Sequence, residues 1–142
     1  MVEIKELASL SASLNQKSDK LNATISAVNE KLEKLNFGVE VTLSAGSAIE
    51  YGGENYILGY EKHPEVIESA SGHGHITNPN KQKWQLSVYV VNREHSKRLL
   101  DAPREVRIAA LDLIPELLSR MKEKAERLIS SMDRAEQLAE NL

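Results

Sequence analysis

The chain has 142 residues, which predicts a single domain with a core of modest size. Its contents of 41% hydrophobic and 27% charged residues are ordinary for a globular protein. The formal net charge of −3 gives a nucleic-acid role little electrostatic support, because no region is basic enough to follow a phosphate backbone. The absence of cysteine excludes disulfides, thiolate zinc sites and cysteine nucleophiles.

The N-terminal sequence bears on localisation. MVEIKELASL carries charges from its third residue and lacks the apolar run of a signal peptide. No apolar stretch approaches the ~20 residues that a membrane-spanning helix needs. Together with the lack of cysteine, these features predict a cytoplasmic protein with no membrane and no nucleic acid among its partners.

Residues 3–36 predict a long amphipathic helix. Apolar residues recur every seven positions, each with a companion position three residues earlier, and serine takes two of the ten places in this seam. At ~1.5 Å per residue the helix would be nearly 50 Å long. Phe37-Gly38 follows as a stop signal, since glycine readily takes the left-handed cap conformation. The seam consists of Ile4, Leu7, Ser11, Leu14, Ser18, Leu21, Ile25, Val28, Leu32 and Leu35.

Residues 39–92 predict an antiparallel meander of three or four strands. Apolar and polar residues alternate in the three main strands, as expected where one face of a sheet is buried. Gly52-Gly53 marks a turn, and residues 49–51 before it would pair with the strand that follows. The three main strands cover 39–44, 56–60 and 84–90.

The segment 63–82 has no clear period and is expected to be an irregular loop, a kind of segment that is often functional or disordered. It contains the candidate metal site. In an extended segment His73 and His75 would project to the same side, so their imidazoles could share a divalent ion such as zinc. A stable site needs a further ligand, for which His63 is available. The alternative is an exposed loop with no cofactor, because glycine on both sides of His73 makes ordering costly in entropy.

Aromatic residues offer a second candidate surface. Trp84, with Lys81 and Lys83 close by, could stack on a ligand, or it could anchor the core at the start of its strand. Four tyrosines could line a cleft on the sheet, although strands are enriched in tyrosine in any case. They are Tyr51, Tyr56, Tyr60 and Tyr89.

Residues 102–141 predict a second long helix. Asp101 is a plausible N-cap and Pro103 fits the first turn, where its missing N–H costs nothing. Pro115 predicts a kink or a short break. Arg104 and Arg107 oppose the helix dipole, which suggests pairing with a glutamate or aspartate of another element or chain, or else a solvated first turn. The apolar seam consists of Leu111, Ile114, Leu118, Met121, Ala125, Leu128, Met132, Ala135, Ala139 and Leu142.

The predicted architecture is therefore one α+β domain over 1–142, with two long helices paired antiparallel on one face of a small sheet. A strand of seven residues covers ~23 Å, less than half the length of the first helix. The apolar seams thus continue beyond the sheet, and each leucine left exposed forgoes roughly 1.5–3 kcal/mol.

These unburied seams predict a self-associating interaction or structural protein, most simply a homodimer, rather than an enzyme. The sequence has no phosphate-cradling Gly-Lys-Ser/Thr loop, no Gly-x-Ser-x-Gly and no His-Glu-x-x-His. The alternative is a small-molecule or metal-binding protein that uses the segment 63–82 and a sheet face. Such a protein could be an enzyme.

Four stretches resemble a group of bacterial helix–sheet–helix proteins of uncharacterised activity. They are LNATISAVNEKLEKLNFGVEV, ILGYEK, WQLSVYV and LLDAPREVRIAALDLIPELL, which together span about Leu21 to Leu118. The resemblance supports the order of elements and implies no activity. The chain is also similar to prefoldin subunits, in the layout of helix, β region and helix alone.

Overall fold

Two long helices and a five-stranded antiparallel sheet make up the part of the chain that the computed structural model describes, which is the backbone of residues 1–68 and 75–142 and the side chains of residues 1–66 and 80–142. The predicted α+β class, terminal helices and antiparallel sheet are confirmed. In chain order the elements are α1 (Ile4–Lys34), β1 (Val41–Thr42), β2 (Ile49–Tyr51), β3 (Glu54–Glu68), β4 (His75–Val90), β5 (His95–Arg98) and α2 (Arg104–Glu140).

The sheet is built around β3, with the order β1-β3-β4-β5. The short strands β1 and β2 lie along the same edge of β3, where Val41 pairs with Tyr60 and Ile49 pairs with Tyr56. The predicted short strand at 49–51 and its pairing are therefore confirmed. The strand β5 was not expected, because its sequence HSKR carries no apolar alternation.

The segment 63–82, expected to be an irregular loop, is largely a two-stranded ribbon. β3 continues to Glu68 and β4 begins at His75, and the two strands stay paired with one register irregularity between Pro64 and Glu65. The interpretation as a loop is wrong for 63–68 and 75–82, while 69–74 lie outside the described residues. The strands of a ribbon are joined by backbone hydrogen bonds, so they can pair without an alternation of apolar and polar side chains. A bulge accommodates a proline, which has no N–H to donate.

The core lies on one face of the sheet. Tyr56, Leu58 and Tyr60 alternate along β3, and the residues opposite them on β4 are buried as well. Both helices contribute to the same apolar cluster, so their predicted packing against the sheet is confirmed. The helix residues in it are Ile25 and Leu32 of α1 with Val106, Ala110, Leu117 and Met121 of α2.

The helix α1 lies along the edge of β4. The Asn29 side chain is buried, and its Oδ1 accepts a hydrogen bond of 2.7 Å from the backbone N–H of Leu86. One turn further on, Glu33 lies 3.5 Å from the Lys83 ammonium. β5 pairs with β4 only from Ser87 onwards, so it does not reach the N–H of Leu86. Asn29 supplies the hydrogen-bond acceptor for this part of the β4 edge.

The helix α2 runs along the opposite edge, from β2 towards β1. Near its middle Glu116 accepts a 2.7 Å hydrogen bond from the Ser47 hydroxyl, between the two strands. Further along, the Lys124 ammonium donates to the backbone oxygen of Glu40, just before β1. These contacts give α2 its direction along the sheet.

Both helices run in the same direction along the sheet, which differs from the predicted antiparallel pairing. α1 passes from Asn22, which accepts a hydrogen bond from Arg107 near the start of α2, towards Lys83 at the other end of the sheet. α2 passes from Arg107 towards Glu40, which lies at that same end by the register of β1, β3 and β4. A heptad seam has the same spacing whether two helices pack parallel or antiparallel. The sequence pattern therefore does not specify the relative direction of α1 and α2.

Two details of α2 depart from expectation. The helix is continuous through Pro115, which excludes the short break, while the kink there stays a prediction. Its N-cap is Pro103, while Asp101 in the preceding 3₁₀ turn accepts two hydrogen bonds of 2.7 and 2.8 Å from the guanidinium of Arg98 at the end of β5. Asp101 satisfies this strong bidentate pairing instead of capping the helix.

Candidate functional site

The candidate site is formed by the solvent-exposed ends of the two helices. We call residues 4–21 the α1 arm and residues 125–142 the α2 arm. All residues of 1–17 and all residues of 126–142 are exposed to solvent. Eight large apolar side chains within the helical parts of these arms are between 39% and 85% exposed, and they lie on the predicted seams or beside them. They are Ile4, Leu7, Leu10 and Leu14 on the α1 arm with Leu128, Ile129, Met132 and Leu138 on the α2 arm.

The arms leave the sheet at opposite ends. The α1 arm precedes Asn22, which contacts Arg107 near the start of α2. The α2 arm follows Lys124, which contacts Glu40 at the far end of the sheet. Since both helices run in the same direction, the two arms of one chain cannot cover each other. Their apolar residues therefore remain in water unless another molecule covers them.

The exposed apolar area is large enough for a stable interface. At ~25 cal/mol per Å² and roughly 1.5–3 kcal/mol per leucine, a fully exposed side chain presents about 60–120 Å². Weighted by their exposures, the eight side chains on the arms present about 300–550 Å² per chain. Since interfaces are ~57% apolar, burying this area from two chains corresponds to a total of about 1,000–2,000 Å², the range of specific complexes.

The heptad pattern did not identify three of the exposed apolar residues on the arms. Leu10, Ile129 and Leu138 lie beside the heptad positions rather than on them. The available signal was their spacing of three or four residues from seam positions, which places them on the same side of the helix. They widen each narrow seam into a broader apolar face.

The sheet face away from the core carries a polar cluster around His63. Its Nε2 lies 2.6 Å from the Oγ of Ser87, which is fully buried and also donates to the Gln85 backbone oxygen at 3.1 Å. Burial lowers the pKa of His63 below its usual value, because desolvation penalises the imidazolium; the charge of Glu61 opposes this shift and that of Arg98 adds to it. A buried hydroxyl bonded to a neutral imidazole is well suited to holding the ribbon in place.

A small cavity of about 160 Å³ lies between α1 and the ribbon. It is lined by cations and carboxylates that pair within the chain: Lys83 lies 3.5 Å from Glu33, and Arg98 is bound to Asp101. Glu30 and Glu65 also line the cavity, so its lining carries three carboxylates against two cations. The cavity has room for a few water molecules or a small ion rather than an organic ligand.

The predicted metal site at His73 and His75 stays a prediction. His73 lies outside the described residues, and of His75 the structure gives only its place at the start of β4. The proposed third ligand, His63, already contacts Ser87 through Nε2. Among the residues whose side chains are described, no group of three or more histidine, aspartate or glutamate side chains could hold a metal ion.

Trp84, Tyr56 and Tyr60 fit the core interpretation, whereas Tyr89 lines a hollow on the sheet. Trp84 packs against the core, with its ring stacked on Tyr60 at 5.5 Å and the Lys62 ammonium 5.4 Å above it. Tyr56 belongs to the core as well, while Tyr51 is 40% exposed. Burial of the indole and its stacking on Tyr60 explain the position of Trp84 without a bound ligand.

One of the two arginines at the start of α2 has a partner in another element. Arg107 donates from Nη1 to Asn22 of α1 and from Nε to the backbone oxygen of Ala102 at 3.1 Å. This guanidinium therefore joins the two helices just where the α1 arm leaves the domain. The expectation of a pairing with another element holds for Arg107, with an amide rather than a carboxylate as acceptor.

Lowering the pH from 7.5 to 5.5 is expected to reduce the melting temperature, in part through His63. The unfolded imidazole titrates near 6.5 and the folded one at lower pH, so stability is lost as the pH falls through about 6.5 and the loss levels off below the folded pKa. The His63→Gln variant, followed by circular dichroism, should show a smaller pH dependence than wild type. His95→Gln, at an exposed site, is the control that should retain most of it. Equal pH dependence in His63→Gln and wild type would contradict the assignment.

Comparisons with family models, curated proteins and solved structures found no match to this chain. Neither helix contains a stretch that is both long and apolar enough to cross a membrane, within the residues that the structure describes.

Proposed function

We propose that this protein is a self-associating structural or interaction module, most simply a homodimer, whose interface is formed by the two arms. The observation that carries the proposal is the row of exposed leucine, isoleucine and methionine side chains on both arms. A monomer would leave these rows in water at a cost of roughly 1.5–3 kcal/mol for each fully exposed side chain. We propose a cytoplasmic setting because the chain has no cysteine.

The polar sheet face gives weaker support to a ligand-binding function. On this face His63 is paired with Ser87 within the chain, and the cavity beside α1 holds only about 160 Å³. The two arms, in contrast, together expose apolar area of the size that specific protein interfaces bury. Association through helices is therefore the function that the described geometry favours.

Light scattering after size exclusion tests the proposal. We expect wild type to elute at twice the chain mass. Leu14→Glu should shift it towards the single-chain mass, because a dimer buries two such leucines. At roughly 1.5–3 kcal/mol each, their loss raises the dissociation constant about 100- to 10,000-fold. Ser13→Glu adds the same charge one residue away, at an exposed position off the seam, and should leave the mass unchanged.

Two outcomes would contradict the proposal. Wild type that elutes as a monomer at every concentration would remove the argument for self-association. A dimer that dissociates on addition of a chelator would shift the interface from the arms to a metal, and would support the histidine prediction at 73 and 75. Far-ultraviolet circular dichroism of Leu14→Glu should match wild type, which separates dissociation from unfolding.

A further inference from the structure

We infer that the molecule covering the arms is a second copy of this chain, with each α1 arm packed antiparallel against the partner's α2 arm. The inference rests on the proposed self-association and specifies its geometry. It is carried by the opposite directions in which the arms leave the sheet and by the match between their two seams.

The two seams have the same length and the same spacing. The α1 arm carries six seam positions over 4–21 and the α2 arm carries six over 125–142, with steps of three, four, three, four and three residues in both. Two antiparallel helices with equal seams can align every position of one with a position of the other. The tips of the arms then lie side by side, and so do their bases.

In three of its six facing pairs this alignment places a large side chain opposite a small one. Leu7 faces the partner's Ala139, Ser18 faces the partner's Leu128 and Leu21 faces the partner's Ala125. Alternation of large and small residues across facing positions fills an interface at normal packing density. Ser18, Ala125 and Ala139, which are small positions in their own seams, thus face leucines in the other, whereas Ser11 faces the partner's Ala135.

A twofold axis satisfies both pairs of arms at once. Because the arms leave one protomer at opposite ends, a partner reversed by the axis presents its α2 arm beside the α1 arm of the first protomer, and the reverse pair forms at the other end. All four arms are then covered in a closed dimer. Pairing α1 with α1 would leave both α2 arms exposed, and a head-to-tail arrangement would not close.

The absence of cysteine allows a direct test by disulfide mapping. In the inferred register Ser11 lies opposite the partner's Ala135, so the variant Ser11→Cys/Ala135→Cys should cross-link almost completely into dimers with oxidised glutathione. Each single variant alone should cross-link no more than wild type, because its two cysteines lie at opposite ends of the dimer. An equimolar mixture of the single variants, refolded together, should yield a cross-linked heterodimer on a non-reducing gel.

The matched control is Ser18→Cys/Ala139→Cys, which uses the same residue types on the same arms. In the inferred register these positions are about 16 Å apart along the helix axes, too far for a disulfide, whose Cα atoms lie within ~7 Å. Parallel head-to-tail arms would bring them together. Cross-linking of this control, or of Ser11→Cys alone, would overturn the inferred pairing.

Light scattering under reducing conditions distinguishes failure of the arm pairing from failure of self-association. Dimers that fail to cross-link through Ser11→Cys/Ala135→Cys would overturn the arm pairing and leave self-association standing. Monomers of wild type and of both double variants would overturn self-association itself, and the arm pairing with it. Dimers of both double variants, with cross-links in the first alone, are the result we expect.

Discussion

Replacing Ile25 by alanine is expected to lower the free energy of unfolding by about 2–5 kcal/mol, the usual cost of removing a large buried side chain. Ile25 is fully buried, and it is the residue through which α1 enters the core just after the α1 arm ends. Since dimerisation would make stability depend on concentration, the comparison is best made in the Leu14→Glu background, by urea unfolding followed with circular dichroism.

The matched control is Ile108→Ala on α2. Ile108 is 52% exposed and lies outside both arms, so its replacement should change the free energy of unfolding by no more than about 0.5 kcal/mol. Equal effects of the two substitutions would show that α1 is not anchored through Ile25. In that case the direction assigned to the α1 arm would also lose its support.

Replacing Gly59 by alanine is expected to destabilise the fold by about 1–3 kcal/mol, as overpacking of a filled site does. A Cβ at this position would lie 2.7 Å from the backbone oxygen of Val41 and 2.8 Å from Cγ2 of Thr42. Both contacts belong to β1, which would have to move away from β3. Because β1 is only two residues long, we expect the whole strand to detach, and proteolysis near Glu40 should become faster.

Gly46→Ala is the control for this change. Gly46 lies in the turn between β1 and β2, where a Cβ would meet only the Ser44 hydroxyl at 3.7 Å, an ordinary contact. Alanine there should be neutral or should stabilise by up to ~1 kcal/mol, because it restricts the unfolded chain. If Gly59→Ala unfolds at the same urea concentration as Gly46→Ala, the close approach of β1 to β3 is not a constraint on this sheet.

The elements with a strong local period could be predicted from the sequence. The seams gave helices over 3–36 and 102–141, close to the observed Ile4–Lys34 and Arg104–Glu140. Alternation located the buried parts of β3 and β4, because a strand that covers a core on one face must alternate. The alternation did not predict β5 or the ribbon formed by the end of β3 and the start of β4. Strand pairing there depends on backbone groups that nearly every residue carries.

The candidate site was predictable in part for the same reason. The apolar arm residues follow from the heptads, and the exposure expected of them beyond the sheet agrees with the values for Leu7 and Met132. The buried pair of His63 and Ser87 could not be foreseen. These residues are 24 positions apart, and only the register of β3 with β4 brings them to 2.6 Å.

The sequence by itself determined which residues are helical, which strands alternate and which faces are apolar, because these properties repeat over a few neighbouring residues. Only the tertiary structure decided that both helices run in the same direction and that their arms leave the sheet at opposite ends. That outcome depends on contacts between distant residues, such as Asn29 with Leu86 and Glu116 with Ser47. A heptad seam specifies a surface to be buried, and the connections of the sheet decide whether the same chain can bury it.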